Sequence, residues 1–131
     1  MSMMHPVGQV KEHRFKVDEG DAPNFRDEAG GILHPVLSTY ALAREAEWAG
    51  RLFALDLKTT EQEGIGTSIS IQHLAPAPIG SEVTILCTCT SFDGRSIQCS
   101  FIASALGRTI ATGETGQALV LKEKLQQIYN R

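Results

Sequence analysis

One long helical pattern, followed almost entirely by strand patterns, is the feature that most restricts how this chain can fold. Between Pro35 and about Leu55, apolar residues recur at helical spacing over roughly five turns. We expect Pro35 in the first helical turn, where its missing N–H costs no hydrogen bond. A single helix of this length cannot enclose a core of its own, so its apolar face must pack against the strands.

Five segments alternate in the way that strands do. They are residues 9–17, 66–74, 82–92, 95–106 and 108–121. The prolines of "APAPIGS" end the second strand, and the Asp93–Gly94 pair predicts a hairpin between the third and fourth. The order strand, long helix and four strands in antiparallel succession predicts an α+β fold of the hotdog type. In it, a sheet of about five strands wraps around one central helix.

The 131 residues predict a single domain, with 1–8 and 122–131 peripheral. Residues 18–34, which collect Asp, Gly, Pro and Asn, predict a loop or a cover whose Phe25, Ile32 and Leu33 need a surface to lie on. Since a sheet with an exposed edge commonly pairs with a second copy, we also expect a homodimer.

Composition excludes several classes of partner. The chain has 42% hydrophobic and 21% charged residues and a formal charge of -3, which gives no reason to expect nucleic acid or an anionic membrane. Its start lacks the order of a signal peptide, and no apolar run approaches the ~20 residues of a membrane helix, so we expect a cytoplasmic protein.

The three cysteines, at positions 87, 89 and 99, lack metal-site spacing and are interpreted as reduced thiols that fill the core.

The polar edge of the helix raises the question of function. Thr39 and Glu47 lie eight residues apart, and the small Ala43 and Gly50 beside them would leave room for a ligand. The same stretch allows a simpler interpretation, since Arg44, Glu47 and Arg51 have the spacing of an exposed salt-bridge ladder. The helical pattern alone favours the ladder.

His73 offers a partner for this edge. It continues the face of Ile69 and Ile71, which should look toward the helix, and the prolines that follow place it at the end of its strand. Such a histidine is commonly a core residue, but an imidazole at a strand end can also transfer protons near neutral pH. A hydroxyl, a carboxylate and an imidazole are together the ingredients of acyl transfer.

Three stretches give the chain a resemblance to a known family. They are "STYALAREAEW" (38–48), "GIGTSISIQHLAPAPIGSEVT" (64–84) and "ATGETGQALV" (111–120). They resemble the fluoroacetyl-CoA thioesterases, a family of single-domain hotdog proteins, over roughly residues 30–125. The resemblance implies hydrolysis of acyl-CoA thioesters, without a further cofactor, at a dimer interface.

By position, the resemblance assigns catalysis to Thr39, Glu47 and His73. Glu47 would activate water or attack directly, Thr39 would orient and His73 would assist proton transfer. Gly66 would match the glycine whose backbone N–H polarises the thioester carbonyl. A turn glycine with positive φ is the simpler interpretation of Gly66 and is compatible with that role.

Position 117 departs from the family pattern. The fluoroacetyl-specific enzyme is expected to carry an arginine where this chain has Gln117, a candidate substrate-binding residue, and an amide does not replace a guanidinium. The Phe-bearing cover of that enzyme has only a loose counterpart in "NFRDEAGGIL". The predicted activity is therefore hydrolysis of a short- or medium-chain acyl-CoA, without the fluoroacetate preference. The alternatives are a non-catalytic acyl-CoA-binding module and a hotdog hydratase or dehydratase.

Overall fold

The central helix α1 comprises Thr39–Leu57. Ser38 is its N-cap, and the Ser38 hydroxyl accepts a hydrogen bond of 3.0 Å from the backbone N–H of Ala41. The predicted start at Pro35 is wrong, because the chain bends at residues 34–35 and Val36 forms an isolated bridge with Pro78 before the helix begins at Thr39. The length of about five turns is confirmed.

Five strands form one antiparallel sheet in this computed structural model, which describes residues 5–24 and 34–130. The strands are β1 (Val10–Lys16), β2 (Gln62–His73), β3 (Glu82–Phe92), β4 (Ser96–Ala105) and β5 (Arg108–Leu121), and a short helix α2 (Lys122–Tyr129) follows. The sheet order is β1-β3-β4-β5-β2. The predicted hotdog architecture is thus confirmed. The antiparallel succession holds for β3, β4 and β5, whereas β2 begins four residues before its predicted start and pairs with β5.

The core lies between α1 and the sheet. Small or apolar residues of α1 face alternating buried residues of β3 and β4. The largest fully buried side chains include Phe53, Phe101, Leu37, Leu42, Ile85 and Ile97. All three cysteines are free and buried, and burial raises the pKa of the Cys89 thiol to about 11, which keeps it protonated at neutral pH. They fill space in the core, as expected.

The strand β2 has two features that bear on the site. Its register against β5 shifts between Gly66 and Ser68, which is a β-bulge at Thr67. It is also an edge strand, and residues 66–70 are all exposed.

Among the described residues, neither helix combines the length and apolar character that crossing a bilayer requires.

The buried carboxylate of Asp21 binds the segment before α1 to the helix. Asp21 is 5% exposed, and its Oδ1 accepts a hydrogen bond of 2.6 Å from Arg44. Its Oδ2 accepts one of 3.0 Å from the backbone N–H of Asp18. Burial opposes ionisation, but the bonds from Asp18 and Arg44 outweigh it and hold the pKa of Asp21 below its usual value. The predicted cover residues Phe25, Ile32 and Leu33 lie outside the described residues.

We expect Asp21→Asn to lower the free energy of unfolding by about 2 kcal/mol at neutral pH, because hydrogen bonds to a charged group are lost. A depressed pKa in the folded state means that this stabilisation is complete above the ordinary value of 3.8 and is lost as the pH falls through the lower folded value. Denaturant unfolding of both proteins at several pH values measures the difference. Asp56→Asn, at an exposed ion pair with Lys11, is the control and should change little. An Asp21→Asn loss that is equally large in acid would contradict the ionic explanation.

Candidate active site

Thr39 and His73 meet where α1 begins and β2 ends. A hydrogen bond of 2.9 Å joins Thr39 Oγ1 to His73 Nδ1. The other ring nitrogen, Nε2, is buried and has no hydrogen-bond partner in the described part of the chain. The expectation that the His73 face of β2 looks toward the helix is therefore confirmed. We call these two residues the hydroxyl–imidazole pair.

Glu47 lies over the backbone of Gly66. A Cβ atom added to Gly66 would be in contact with Glu47 Oε2 and only 2.9 Å from its Cδ, closer than real Cβ atoms approach. Gly66 is not a positive-φ glycine, since that group comprises Gly8, Gly80, Gly94 and Gly107. The turn interpretation of Gly66 is thus wrong: the residue is a strand glycine whose missing side chain makes room for a carboxylate. We call Glu47 and Gly66 the carboxylate cradle.

The bulge at Thr67 lets both parts of the site face the helix. Gly66 and His73 are seven residues apart, and in a regular strand an odd separation places side chains on opposite faces. The extra residue of the bulge shifts the alternation of side chains by one position, so that Gly66 and His73 both face α1. Strict alternation along β2 would have placed them on opposite faces.

The two parts of the site are separated along the helix. Eight residues from Thr39 to Glu47 correspond to about 12 Å of helix axis. Within the described ranges, no hydrogen bond joins Glu47 to Thr39 or to His73. One chain therefore presents a hydroxyl–imidazole pair and a carboxylate cradle, each formed but apart.

Gln117 and Arg51 complete the surroundings of Glu47. The Gln117 side chain is fully buried; its Oε1 accepts a hydrogen bond of 2.7 Å from Arg51 Nε, and its Nε2 lies 3.5 Å from the backbone carbonyl oxygen of Glu47. Arg51 Nη2 lies 3.4 Å from Glu47 Oε2. The amide predicted to bind substrate is thus engaged inside the chain, and its substrate role stays a prediction.

Only half of the predicted salt-bridge ladder is present. Arg51 contacts Glu47, whereas the guanidinium of Arg44 binds Asp21 and Glu45. The spacing of Arg51 from Glu47 indicated the contact, but not the buried amide behind it. The helical spacing therefore does not predict the contact of Arg51 with Gln117.

The room expected beside Gly50 is filled. Gly50 is buried, and an added Cβ would lie 3.3 Å from the Cβ of Thr115 on β5 and still closer to the Thr115 hydroxyl. The glycine lets the helix approach the sheet and leaves no space for a ligand. Open space lies on the other side of Glu47, whose side chain is 46% exposed at a surface pocket also lined by Arg44, Trp48 and Arg51. A half-exposed carboxylate at such a pocket is able to meet a substrate or a water molecule.

We expect Gly66→Ala to cost about 1 kcal/mol relative to the gain that alanine ordinarily brings to a strand, because the methyl group would displace the carboxylate at the end of the flexible, half-exposed Glu47 side chain. Without this contact, replacing glycine by alanine would stabilise a strand, so a loss of stability would itself indicate the collision with Glu47. Thermal and denaturant unfolding measure it. In a Glu47→Asp background the shorter side chain should remove most of the penalty. An equal penalty in both backgrounds would show that Glu47 does not occupy this space.

Comparison with known proteins places the chain among thioesterases. The sequence profile of the FlK family, described as fluoroacetyl-CoA-specific thioesterase, matches residues 17–123. No curated protein matches the chain significantly.

Solved structures agree with the fold. A Thermus thermophilus hypothetical protein, described as a thioesterase superfamily member, is 29% identical with a TM-score of 0.89, covering 96% of this chain and 91% of its own. The fluoroacetyl-CoA thioesterase FlK is 22% identical with a TM-score of 0.89, covering 98% of this chain and 97% of its own. A mutant of FlK in complex with fluoroacetate and CoA is 27% identical with a TM-score of 0.78, covering 91% and 98%. With the profile match over most of its length, the chain belongs to the fluoroacetyl-CoA-specific thioesterase family.

Proposed function

We propose that this protein hydrolyses a short- or medium-chain acyl-CoA thioester to the free acid and CoA, at a site formed between two copies of the chain. The observation that carries the proposal is the Glu47 carboxylate seated over Gly66, on the same face of β2 as the hydroxyl–imidazole pair. Family membership and an FlK mutant bound to fluoroacetate and CoA support an acyl-CoA as substrate. A cytoplasmic location belongs to the same prediction.

The proposed chemistry assigns one task to each group. The Glu47 carboxylate takes a proton from a water molecule whose oxygen attacks the thioester carbon. Alternatively, it attacks that carbon itself, and the mixed anhydride formed when the C–S bond breaks is hydrolysed by water to the free acid and the Glu47 carboxylate. The backbone N–H of Gly66 stabilises the negative charge on the carbonyl oxygen. The C–S bond then breaks, and the Thr39–His73 pair directs a proton to the departing thiolate. No further cofactor is involved in this scheme.

The separation of the two parts is the reason to propose a site between copies. Groups about 12 Å apart along one helix cannot act on one carbonyl carbon. The exposed edge of β2 can pair antiparallel with a second β2 about a two-fold axis. Because the bulge adds one residue after Gly66, an axis at Ser70 would set the carboxylate cradle of one copy opposite the hydroxyl–imidazole pair of the other. Each dimer would then hold two complete sites.

The acyl preference follows from position 117. Gln117 is neutral, fully buried and bonded to Arg51, so it offers no charge that would favour a fluorinated acyl group. We therefore propose general short- or medium-chain specificity.

We expect free-thiol release from acyl-CoAs between acetyl and dodecanoyl, and a fall in kcat of about 100-fold or more for Glu47→Gln, Thr39→Ala and His73→Ala. Glu123→Gln and His5→Ala, at exposed positions away from the site, are matched controls and should retain wild-type rates. Unchanged rates in all three folded site variants would refute the residue assignment. Tight acyl-CoA binding without turnover by the wild type would favour a binding module, and hydration of an enoyl-CoA would favour a hydratase.

A mixed dimer tests whether the site is shared. We expect a purified heterodimer of Glu47→Gln and His73→Ala subunits to recover about half the wild-type kcat, because one site would carry both substitutions and the other neither. A heterodimer of Glu47→Gln and Gly66→Ala subunits is the matched control. Both of those substitutions fall in the carboxylate cradle, one in each site, so no activity should return. A first heterodimer as inactive as its parents would show that the three residues act within one chain.

A further inference from the structure

We infer that Arg51 is a positioning residue, which holds the Glu47 carboxylate over Gly66 through a guanidinium anchored on buried Gln117. The inference rests on the proposed function and assigns Arg51 and Gln117 a task in it. Neither side chain needs to touch the substrate for this task.

The contacts form a closed loop around Glu47. The first contact joins the Gln117 side chain to the main chain of the helix, where Nε2 donates to the carbonyl oxygen of Glu47. Its Oε1 accepts the short bond of 2.7 Å from Arg51 Nε. The guanidinium then reaches the Glu47 carboxylate, with Nη2 at 3.4 Å from Oε2. Backbone and side chain of the same glutamate are thus connected through two intermediate residues.

The distances indicate what the loop does. The bond from Arg51 to Gln117 is short and lies against a fully buried amide, so the guanidinium has a fixed position. The contact to Glu47 is long and therefore weak, so it sets the direction of the carboxylate but leaves its lone pairs available. A carboxylate that must accept a proton or attack carbon needs this combination of a fixed direction and a free lone pair.

An ordinary exposed ion pair does not account for this arrangement. An i,i+4 pair on a helix surface contributes little to stability and needs no third residue. Here the arginine side chain is only 27% exposed, and its Nε is directed inward at β5. The carboxylate that it contacts lies against Gly66, a strand position where a side chain would collide with it.

The planar fork of arginine suits the task better than lysine. Nε and Nη2 belong to one rigid group, so binding Nε to Gln117 fixes the direction of Nη2. A lysine ammonium carries the same charge on a flexible stem and would occupy one of the two sites at a time. The geometry of the guanidinium, in addition to its charge, therefore determines where Glu47 points.

The kinetic test uses three variants and one control. With an acyl-CoA that the wild type hydrolyses, Arg51→Gln should lower kcat about 10- to 100-fold with KM within about twofold, because misplacement of a reacting group affects the chemical step. Arg51→Lys should recover only part of the loss. Gln117→Met, which keeps the charge and removes the anchor, should lower kcat as well. Arg14→Gln removes one exposed positive charge on β1 and should leave kcat unchanged.

Unchanged kcat in Arg51→Gln would overturn the inference while leaving the proposed hydrolysis intact. Full recovery by Arg51→Lys would also overturn it, because charge alone would then suffice. A rise in KM with constant kcat would assign Arg51 to substrate binding and overturn it too. Absence of turnover in the wild type is a different result and refutes the proposed function.

A stability cycle tests the positioning without any activity. If Arg51 holds the carboxylate over Gly66, the penalty of Gly66→Ala should fall in an Arg51→Gln background, because Glu47 is then free to move away. The coupling is read from denaturant unfolding of the single and double variants. Purely additive penalties would overturn the inference, whatever the kinetics show.

Discussion

The close approach of α1 to strands β2 and β5 is the contact on which the candidate site depends. The helix presents small buried residues there, Gly50 toward β5 and Ala54 toward β2. A Cβ on Gly50 would collide with Thr115, and a Cβ on Gly64 would lie 2.7 Å from the Cβ of Ala54. Without larger side chains between them, helix and strands lie close enough for Glu47 to reach Gly66 and for Arg51 to reach Gln117. A wider gap would leave that carboxylate in solvent.

The same helix also fixes how the site is divided. Its N-terminus brings the Thr39 hydroxyl to His73 at the end of β2, and two turns later it brings Glu47 to the bulged part of the same strand. A straight helix keeps these groups apart by its rise. In the proposed dimer the open edge of β2 would join them, since antiparallel pairing reverses the direction of the second strand. The division within one chain and the exposed strand edge thus support the same proposal.

Much of the fold could be predicted from the sequence, because periodicity reports local structure directly. The helix, the five strands and the inward face of His73 follow from spacing alone. The errors lie where a distant residue decides. Pro35 has the chemistry of a helix start, yet Val36 pairs with Pro78 and the helix begins at Thr39. Arg44 and Arg51 both have helical spacing to Glu47, but Asp21, far along the chain, engages the first.

The sequence by itself determined the residue types of the site, their spacing along one helix and one strand, and the family to which they point. These are properties of the local sequence pattern and do not depend on residues distant in the sequence. Only the tertiary structure decided that Gly66 serves as space for a carboxylate and that a bulge turns it to the side of His73. The same holds for Gln117, which anchors Arg51. Each of these depends on the approach of two segments distant in sequence, and a bulge or a missing Cβ has meaning only when its neighbour is known.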